Sequence, residues 1–520
     1  MQPFSDAPRN PNQALSISTI TQSTANRPWL VATVLALAAA LLTLPAALGP
    51  VRLNDSYWID WVWLDQFAGQ LREGVLYPRW LPLSHNGLGS PVFYYYPPLA
   101  FYAGSLFVLG GLSTYAALLA TFGVAYLASG LAMYWWLNGH SRAPLTGALI
   151  FMAAPYHVYN FYQRGALAEF CATAFLPVVM VGIRRMTMRQ SGGFALTSIA
   201  FAAMAVTHLP LTLLASLFLF APYVLLQGRE DPAVLLPIGA AFALGLALAA
   251  IYLLPAIQLE PFRDSAQLWA VQYLRPSAWS LWSRVAWSMK EYRAILLVIA
   301  AALLPLISLL ARFRSAWALW SLACFLIAAG ALPFLWGLPG LRAVQFPFRL
   351  LPVAEFAFAT AVATAPRRAL PAPVLWLPLV ALFAFIALAR PAAVSLTMAD
   401  LRNLHPDVPE NLPPGERAYS WPSQWALQVA RTHRQPVVAN GVTVEPVFSF
   451  PAWDVRCRDR LAPTFADPAT KLLSHKGQRC SRKLVSTPPE KAGAAISLAA
   501  AIGLLLSLLG ATRLRPSAKR

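Results

Sequence analysis

"RPWLVATVLALAAALLTLPAALGPVRLNDSYWIDWVWLDQF", Arg27–Phe67, joins two stretches of opposite character. Residues 28–49 carry no charge and match the roughly 20 apolar residues that a bilayer-spanning helix needs. Three carboxylates, Asp55, Asp60 and Asp65, follow among aromatics and aliphatics, in a chain with only 21 acids in 520 residues. A span followed at once by acids fixes one end of the reading and raises the question of what those acids do.

The rest of the chain repeats the first half of that stretch. It is 58% hydrophobic and 12% charged, whereas soluble proteins carry roughly 25% charged residues. Further apolar runs lie near 113–137, 143–158, 168–184, 193–208, 210–227, 232–255, 294–311, 315–334, 348–365, 369–389 and 493–511. The pattern predicts an all-α polytopic membrane protein; a β-barrel would show weak alternation instead. The expected organisation is a cytoplasmic tail 1–27, a transmembrane core 28–390 with an external loop 51–112, a polar domain 391–491, and a last span with a basic tail over 492–520. The polar, Ser/Thr-rich start and the length of the first apolar run argue against a cleaved signal peptide.

The net charge of +19 does not point to nucleic acid, because the basic residues are scattered between apolar runs. They read as topology marks. "PPLAFYAGSLFVLGGLS", Pro97–Ser113, is the ambiguous element. If it stays at the surface or re-enters, Arg142, Arg184, Arg185, Arg189, Arg229, Arg312, Arg367 and Arg368 all face the cytoplasm, as the positive-inside tendency asks, giving about twelve spans with both termini inside. The setting is then a bacterial cytoplasmic membrane, and the 391–491 domain lies outside. Asn440-Gly441 within "VVANGVTVEPVFSF" predicts a hairpin turn and hence strands there. Cys457 and Cys480 share that domain and are disulfide candidates in an oxidising compartment; Cys171 and Cys324 sit in apolar runs as packing residues. Four dispersed cysteines give no zinc spacing.

Each external segment carries a few polar residues beside aromatics at a span boundary. They are Asp55, Asp60, Arg79 and His85 in the first loop, Arg164 and Glu169 at the "YNFYQRGALAE" corner, Thr207-His208 at a span end, Glu260, Arg263 and Asp264, and Arg342, Gln345 and Arg349. Ionisable groups at membrane depth are costly and usually face a cavity or a partner. The three acids of the opening stretch cannot form one cluster: on a helix, offsets of five and ten residues leave Asp60 and Asp65 off the face of Asp55. Asp55 is either a helix cap or a site residue, Asp60 ranks second, and Asp65 is expected in water. Trp58, Trp61, Trp63 and Leu64 suit an amphipathic helix at the interface. Glu169 has a plain alternative as a partner of Arg164, and His208 as a packing residue. Tyr94, Tyr95, Tyr96 and Trp80 are either sugar-stacking surfaces or an aromatic belt.

The ordered set "NDSYWIDW", "LYPRW", "GLGSPVFYYYPPLAFY", "APYHVYNFYQRGALAE", "THLPLTLL", "YLLPA" and "RAVQFPFRLLPV" resembles bacterial membrane proteins labelled 6-pyruvoyl-tetrahydropterin-synthase-related, over most of 50–360. The pterin part of that label finds no counterpart: such synthases have a three-His zinc site, and the seven His residues here are isolated. The architecture is also similar to the GT-C superfamily of polyprenyl-phosphate-sugar glycosyltransferases. That resemblance implies a catalytic acid near the start of the first external loop, where Asp55 falls, and a second at the corner, where Glu169 falls. It implies transfer from a polyprenyl-phosphate-linked sugar to an unspecified acceptor, with a divalent cation as a possible cofactor. Many such enzymes have two adjacent acids; here Ser56 follows Asp55.

In that chemistry Asp55 would be the base toward an acceptor hydroxyl. Arg79, Arg164 and Arg349 would hold the lipid phosphate, with His208, Gln345 and Asp60 as further binding residues. A non-catalytic protein that binds lipid-linked glycans or assists envelope assembly is the alternative, and a transporter is a third. Transporters usually show repeats and broken helices at the midplane, whereas the polar residues here gather at one face. No P-loop, Rossmann glycine fingerprint or HExxH is present.

Overall fold

The computed structural model describes residues 27–313, 315–366, 397–415, 417–477 and 479–513. The chain is mostly helical, with two small sheets near its C-terminal end. Among the described residues, six helices are long and apolar enough to cross a membrane: Pro28–Leu48, Thr114–Leu137, Leu167–Thr187, Leu209–Glu230, Lys290–Arg312 and Pro488–Leu509. A seventh element, Pro232–Leu248 with Ala250–Gln258, is bent by 69°.

Twelve full-length spans are therefore not what the described residues show. The run at 143–158 divides into Pro144–Met152 and Pro155–Tyr159. The runs at 193–208, 315–334 and 348–365 form helices of only 13, 13 and 14 residues. Each of these helices is shorter than the roughly 20 residues that a span needs. The expected span at 369–389 lies outside the described residues.

The bend at Ala249 has a local cause. Ser497, from the last long helix, donates to Ala247 O (3.2 Å) and Leu248 O (2.9 Å) and accepts from Ile251 N (2.8 Å). One hydroxyl thus satisfies the backbone groups the break releases. Gly493 lets that helix approach, since a Cβ there would meet Ala250 O. The broken helix serves packing, and it presents no charged side chain at the break.

The first loop, between the helices Pro28–Leu48 and Thr114–Leu137, holds the helix Tyr57–Arg72 and the short helix Leu99–Leu109. At 11 residues the latter cannot span alone, in keeping with a juxtamembrane or re-entrant element. The tryptophans of the first helix do not form an interfacial belt. Trp58, Trp61 and Trp63 are all buried. Trp58 packs on Trp421 (4.3 Å between rings), and Trp63 donates to Asp407 Oδ1 (3.0 Å) and packs on Tyr96 and Phe101. Residues of the 397–421 segment cover this helix, so its aromatics are core. Asp65 is also not in free water: it is half-buried and accepts from Thr114 Oγ1 (2.7 Å).

The polar domain contains β1 Val437–Ala439, β2 Val442–Phe448, β3 Trp453–Cys457, β4 Arg460–Leu461, β5 Thr464–Ala466, β6 Leu472–Lys476 and β7 Cys480–Leu484. One sheet runs β1-β2-β6-β5 and the other β4-β3-β7, all antiparallel. Asn440 and Gly441 form the expected two-residue turn, both with positive φ (52° and 75°) and with Ala439 paired to Val442. Cys457 and Cys480 face each other in the register and are joined; Cys171 and Cys324 are free, the second fully buried. The domain docks through aromatics: Phe450 lies on Trp80 and Tyr94, and Phe448 N donates to Leu88 O (2.9 Å).

Candidate functional site

The site begins at the corner between residues 154 and 169. Pro155 starts a short helix where its missing N–H costs nothing. The helix widens into a π-turn at Asn160–Arg164 and stops at Gly165, in the left-handed region (φ 61°). A Cβ at Gly165 would run into the Tyr57 ring, so this glycine allows both the turn and the close approach of the first loop. The loop is stitched to the corner by Ser56 N to Arg164 O (2.8 Å), Tyr57 OH to Phe161 O, and Asn54 Nδ2 to Gln163 O.

Arg164 is buried at the centre of this arrangement. Its Nη1 donates to Tyr156 OH (2.6 Å) and Glu169 Oε2 (2.9 Å), its Nε lies 3.7 Å from Asp55 Oδ2, and its guanidinium covers the Phe348 ring at 4.9 Å. Glu169 also accepts from Tyr156 OH at Oε1 (2.6 Å) and pairs with Arg349 Nε (3.4 Å). Arg349 is held in turn by Nη1 to Val344 O (2.7 Å) and by Phe346 below its guanidinium. Tyr156 is fixed through its backbone, whose N–H donates to the buried Glu355.

Asp55 differs from Glu169 in one decisive respect. Its side chain keeps 51% of its surface, against 1% for Glu169. It opens into a cavity of about 630 Å³ whose lining includes Arg164, Tyr159, Lys290, Glu291, Trp279 and Phe348. The cavity is itself sunk in protein, so water reaches the carboxyl but solvates it poorly. Burial pushes the Asp55 pKa up to about 6, against the pull of Arg164 and with a smaller upward push from Glu291. Asp55 lies ahead of the helix that starts at Tyr57, has φ 47°, and makes no capping bond, so the capping alternative falls away.

Asp60 is placed differently again. It is buried, and its Oδ2 accepts from Leu167 N (3.0 Å). Desolvation raises its pKa to about 8, with the Leu167 N–H opposing. At neutral pH it is therefore mostly uncharged, and it supports the corner.

Asp55, Arg164, Glu169 and Arg349 are thus brought together. Arg79 and Gln345 do not line the cavity, whereas His208, also outside its lining, stands within electrostatic reach of Glu169, Arg349 and Arg164. Arg79 pairs with Glu490 (2.9 Å), donates to Ile251 O (2.9 Å) and stacks on Tyr77 (3.7 Å), clamping the first loop to the last long helix. His208 caps the helix from Leu209 by accepting from Leu211 N (3.2 Å). Gln345 donates to Leu268 O (3.0 Å). Tyr94, Tyr95 and Trp80 are buried against the sheet domain rather than exposed as a stacking surface.

Sequence reading missed Tyr156, Lys290 and Glu291. Tyr156 carried no signal beyond its place in an aromatic-rich corner. Lys290-Glu291 was visible as a charged pair at the edge of an apolar run.

The residues do not fit a divalent cation at Asp55. Glu169 accepts from Tyr156 and Arg164 and faces Arg349, Asp60 is turned to Leu167, and the Arg164 guanidinium stands beside Asp55, which leaves Glu291 as the other carboxylate of the cavity. Among the described residues the grouping with metal-ligand geometry is Cys457, His475 and Cys480, and its two sulfurs are bonded to each other.

No protein-family model matches this sequence, and no curated protein matches it. Two solved structures are similar, both cryo-EM structures of the arabinofuranosyltransferase AftD from Mycobacteria. For one the TM-score is 0.46 at 18% identity, covering 69% of this chain and 27% of that one. For the other, a point mutant, the values are 0.44 and 19%, covering 70% and 28%. The chain spans less than a third of the length of either.

Proposed function

We propose that this protein is a membrane glycosyltransferase of GT-C type, moving a sugar from a polyprenyl-phosphate donor to an acceptor hydroxyl at the extracytoplasmic face of a bacterial cytoplasmic membrane. The observation that carries the reading is the contrast between two acids 3.7 Å and 2.9 Å from the same guanidinium: Glu169 is hydrogen-bonded and sealed, whereas Asp55 is open to the cavity.

The roles follow from that contrast. Asp55, ionised above about pH 6, takes the proton of the acceptor hydroxyl as the new glycosidic bond forms. Arg164 neutralises the departing lipid phosphate. It is the better choice because Glu169 and Tyr156 hold its guanidinium in one orientation before substrate arrives. Glu169 and Arg349 act through Arg164 as positioning residues. Trp279, Phe346 and Phe348 give the cavity an apolar wall suited to the first isoprene units.

The reading is tested by incubating reconstituted protein with a panel of radiolabelled polyprenyl-phosphate pentoses and hexoses and a membrane-free glycan acceptor. Transfer of label to the acceptor supports it. Tight binding of the lipid without transfer by the unmodified protein would favour a non-catalytic glycan-lipid binder.

A further inference from the structure

The sheet domain holds a second cluster of reactive side chains, independent of the cavity and of the transfer reading. Cys457 ends β3 and Cys480 opens β7; the two are paired in register and bonded. Side chains of directly paired residues share a face, and the face repeats every second residue. Val455 and Cys457 therefore point the same way as Cys480 and Arg482. That face meets the other sheet. Arg482 Nη1 donates to Glu445 Oε2 of β2 (2.8 Å), and the imidazole of His475, in β6, stands with Nδ1 4.0 Å from Cys457 Sγ. Three strands from two sheets thus bring two sulfurs and one imidazole to a single point.

His475 is the informative member. Its side chain is only 2% exposed, and its Nε2 stands 3.2 Å from Glu445 Oε1. A carboxylate only accepts, so Nε2 carries the proton. Neutral His475 then turns the bare lone pair of Nδ1 toward Cys457. A sulfur in a disulfide has no proton to give it. The oxidised domain therefore buries an acceptor aimed at a group that cannot donate, which a purely structural disulfide does not call for. The same imidazole is arranged as a metal-binding histidine is: one nitrogen held by a carboxylate, the other presented to the site.

Distance and room agree with that arrangement. The two Sγ atoms and an imidazole nitrogen of His475 all lie within 4.8 Å of one another. A tetrahedral site with metal–sulfur bonds of about 2.3 Å and a metal–nitrogen bond of about 2.1 Å sets its ligand atoms about 3.5–3.8 Å apart. The 4.0 Å from Nδ1 to Cys457 Sγ is already close to that. Only the two sulfurs must part, and breaking their bond parts them. Gly477, at φ 141°, keeps their flank open: a Cβ there would lie 2.6 Å from Cys457 Sγ and 3.2 Å from Cys480 Sγ.

We propose that Cys457, Cys480 and His475 form a thiol-gated site for a divalent cation of the zinc kind, closed while the disulfide stands and opened by its reduction. The bond takes two electrons and two protons from an external dithiol, which leaves as its own disulfide. The cation then displaces the two thiol protons into water and accepts the Nδ1 lone pair. Two thiolates and an imidazole select a soft or borderline cation over magnesium or calcium. Glu445 orients the imidazole from behind, and Arg482 holds Glu445 in turn. The three protein ligands leave a fourth position to water. No sequence spacing signals the site, because its ligands come from separate strands.

The test uses the full chain in nanodiscs, reduced with a phosphine and freed of it without air, with zinc ion alone as probe and a chromogenic chelator as competitor. The reduced chain should take up one zinc and release two protons, and the oxidised chain should take up none. C457S/C480S, which keeps Cys171 and Cys324, should also take up none. E445Q should bind about 10–100-fold more weakly, and H475Q, which loses a ligand outright, more weakly still. Where reduction loosens the sheets, the thermal midpoint is read as well: zinc should raise it in the reduced chain and leave it unchanged in the oxidised one. No uptake by the reduced chain, or equal uptake by C457S/C480S, would overturn the assignment. So would undiminished affinity in H475Q, which would leave two thiols chelating without the built imidazole. A reduced chain whose midpoint zinc does not raise would overturn it too.

Discussion

Asp55 and Glu169 show how little residue type says about role. Both are acids beside Arg164, yet one keeps half its side-chain surface and the other keeps almost none. The pKa of about 6 at Asp55 has a direct consequence for rate. A base must be ionised, so kcat/KM should rise with pH through about 6 and level above it. A pH profile flat from 5 to 8 would remove Asp55 as the titrating base. Asp60 predicts the opposite kind of behaviour. Its pKa is raised to about 8, so it favours the folded state while protonated; that contribution is complete below the ordinary carboxylate range and is lost as pH rises through about 8. Asp60→Asn keeps an acceptor for the Leu167 N–H and removes the titration. It should therefore preserve activity at pH 7 and flatten the fall of the thermal midpoint between the ordinary carboxylate range and about pH 8. Asp55 was legible in the sequence because an acid just past a span is conspicuous. The neutrality of Asp60 was not, because it follows from burial against residue 167, which is 107 positions away.

At the scale of elements, the corner and the first loop form one unit. Glu169→Gln leaves the buried Arg164 and the half-buried Arg349 short of their shared charge, so its cost should appear in stability as well as activity, on the order of 3–5 kcal/mol. Melting of the purified variant beside Asp55→Asn checks this: the first should melt earlier, and the second should melt like the unmodified protein. Asp65→Asn, which keeps an acceptor for Thr114, should affect activity less than Glu169→Gln. Gly165→Ala should destabilise by about 1–3 kcal/mol through a strained φ and the Tyr57 contact. An alanine variant that melts unchanged would mean the corner can open. These elements were only partly legible. The hairpin at Asn440-Gly441 and the short helix after Pro97 could be read from local residue chemistry. The burial of Trp58, Trp61 and Trp63 could not, because their cover comes from residues 397–421, hundreds of positions downstream.

At the scale of the whole molecule, hydropathy identified a polytopic helical protein, and six full-length apolar helices with a bent seventh among the described residues bear that out. The count of spans was less legible, since a buried short helix and a membrane-crossing one share the same composition. The bent pair at Ala249 shows why: the backbone groups at its break are satisfied by Ser497, from a helix almost 250 residues later. The assignment of sides remains an expectation from charge, and it has a simple check. A reporter fused after Arg189 should read cytoplasmic, and an external reading would mean that the 97–112 element crosses the membrane.

The central claim is that an open Asp55 and a pre-set Arg164 act as one transfer site. The most direct measurement compares unmodified protein with Asp55→Asn for two quantities in the same preparation: binding of a labelled polyprenyl-phosphate sugar and its transfer to acceptor. Asp55→Asn should bind the lipid with unchanged affinity and lose transfer by about 10²–10⁴-fold. Full transfer by Asp55→Asn, with binding intact, would contradict the account.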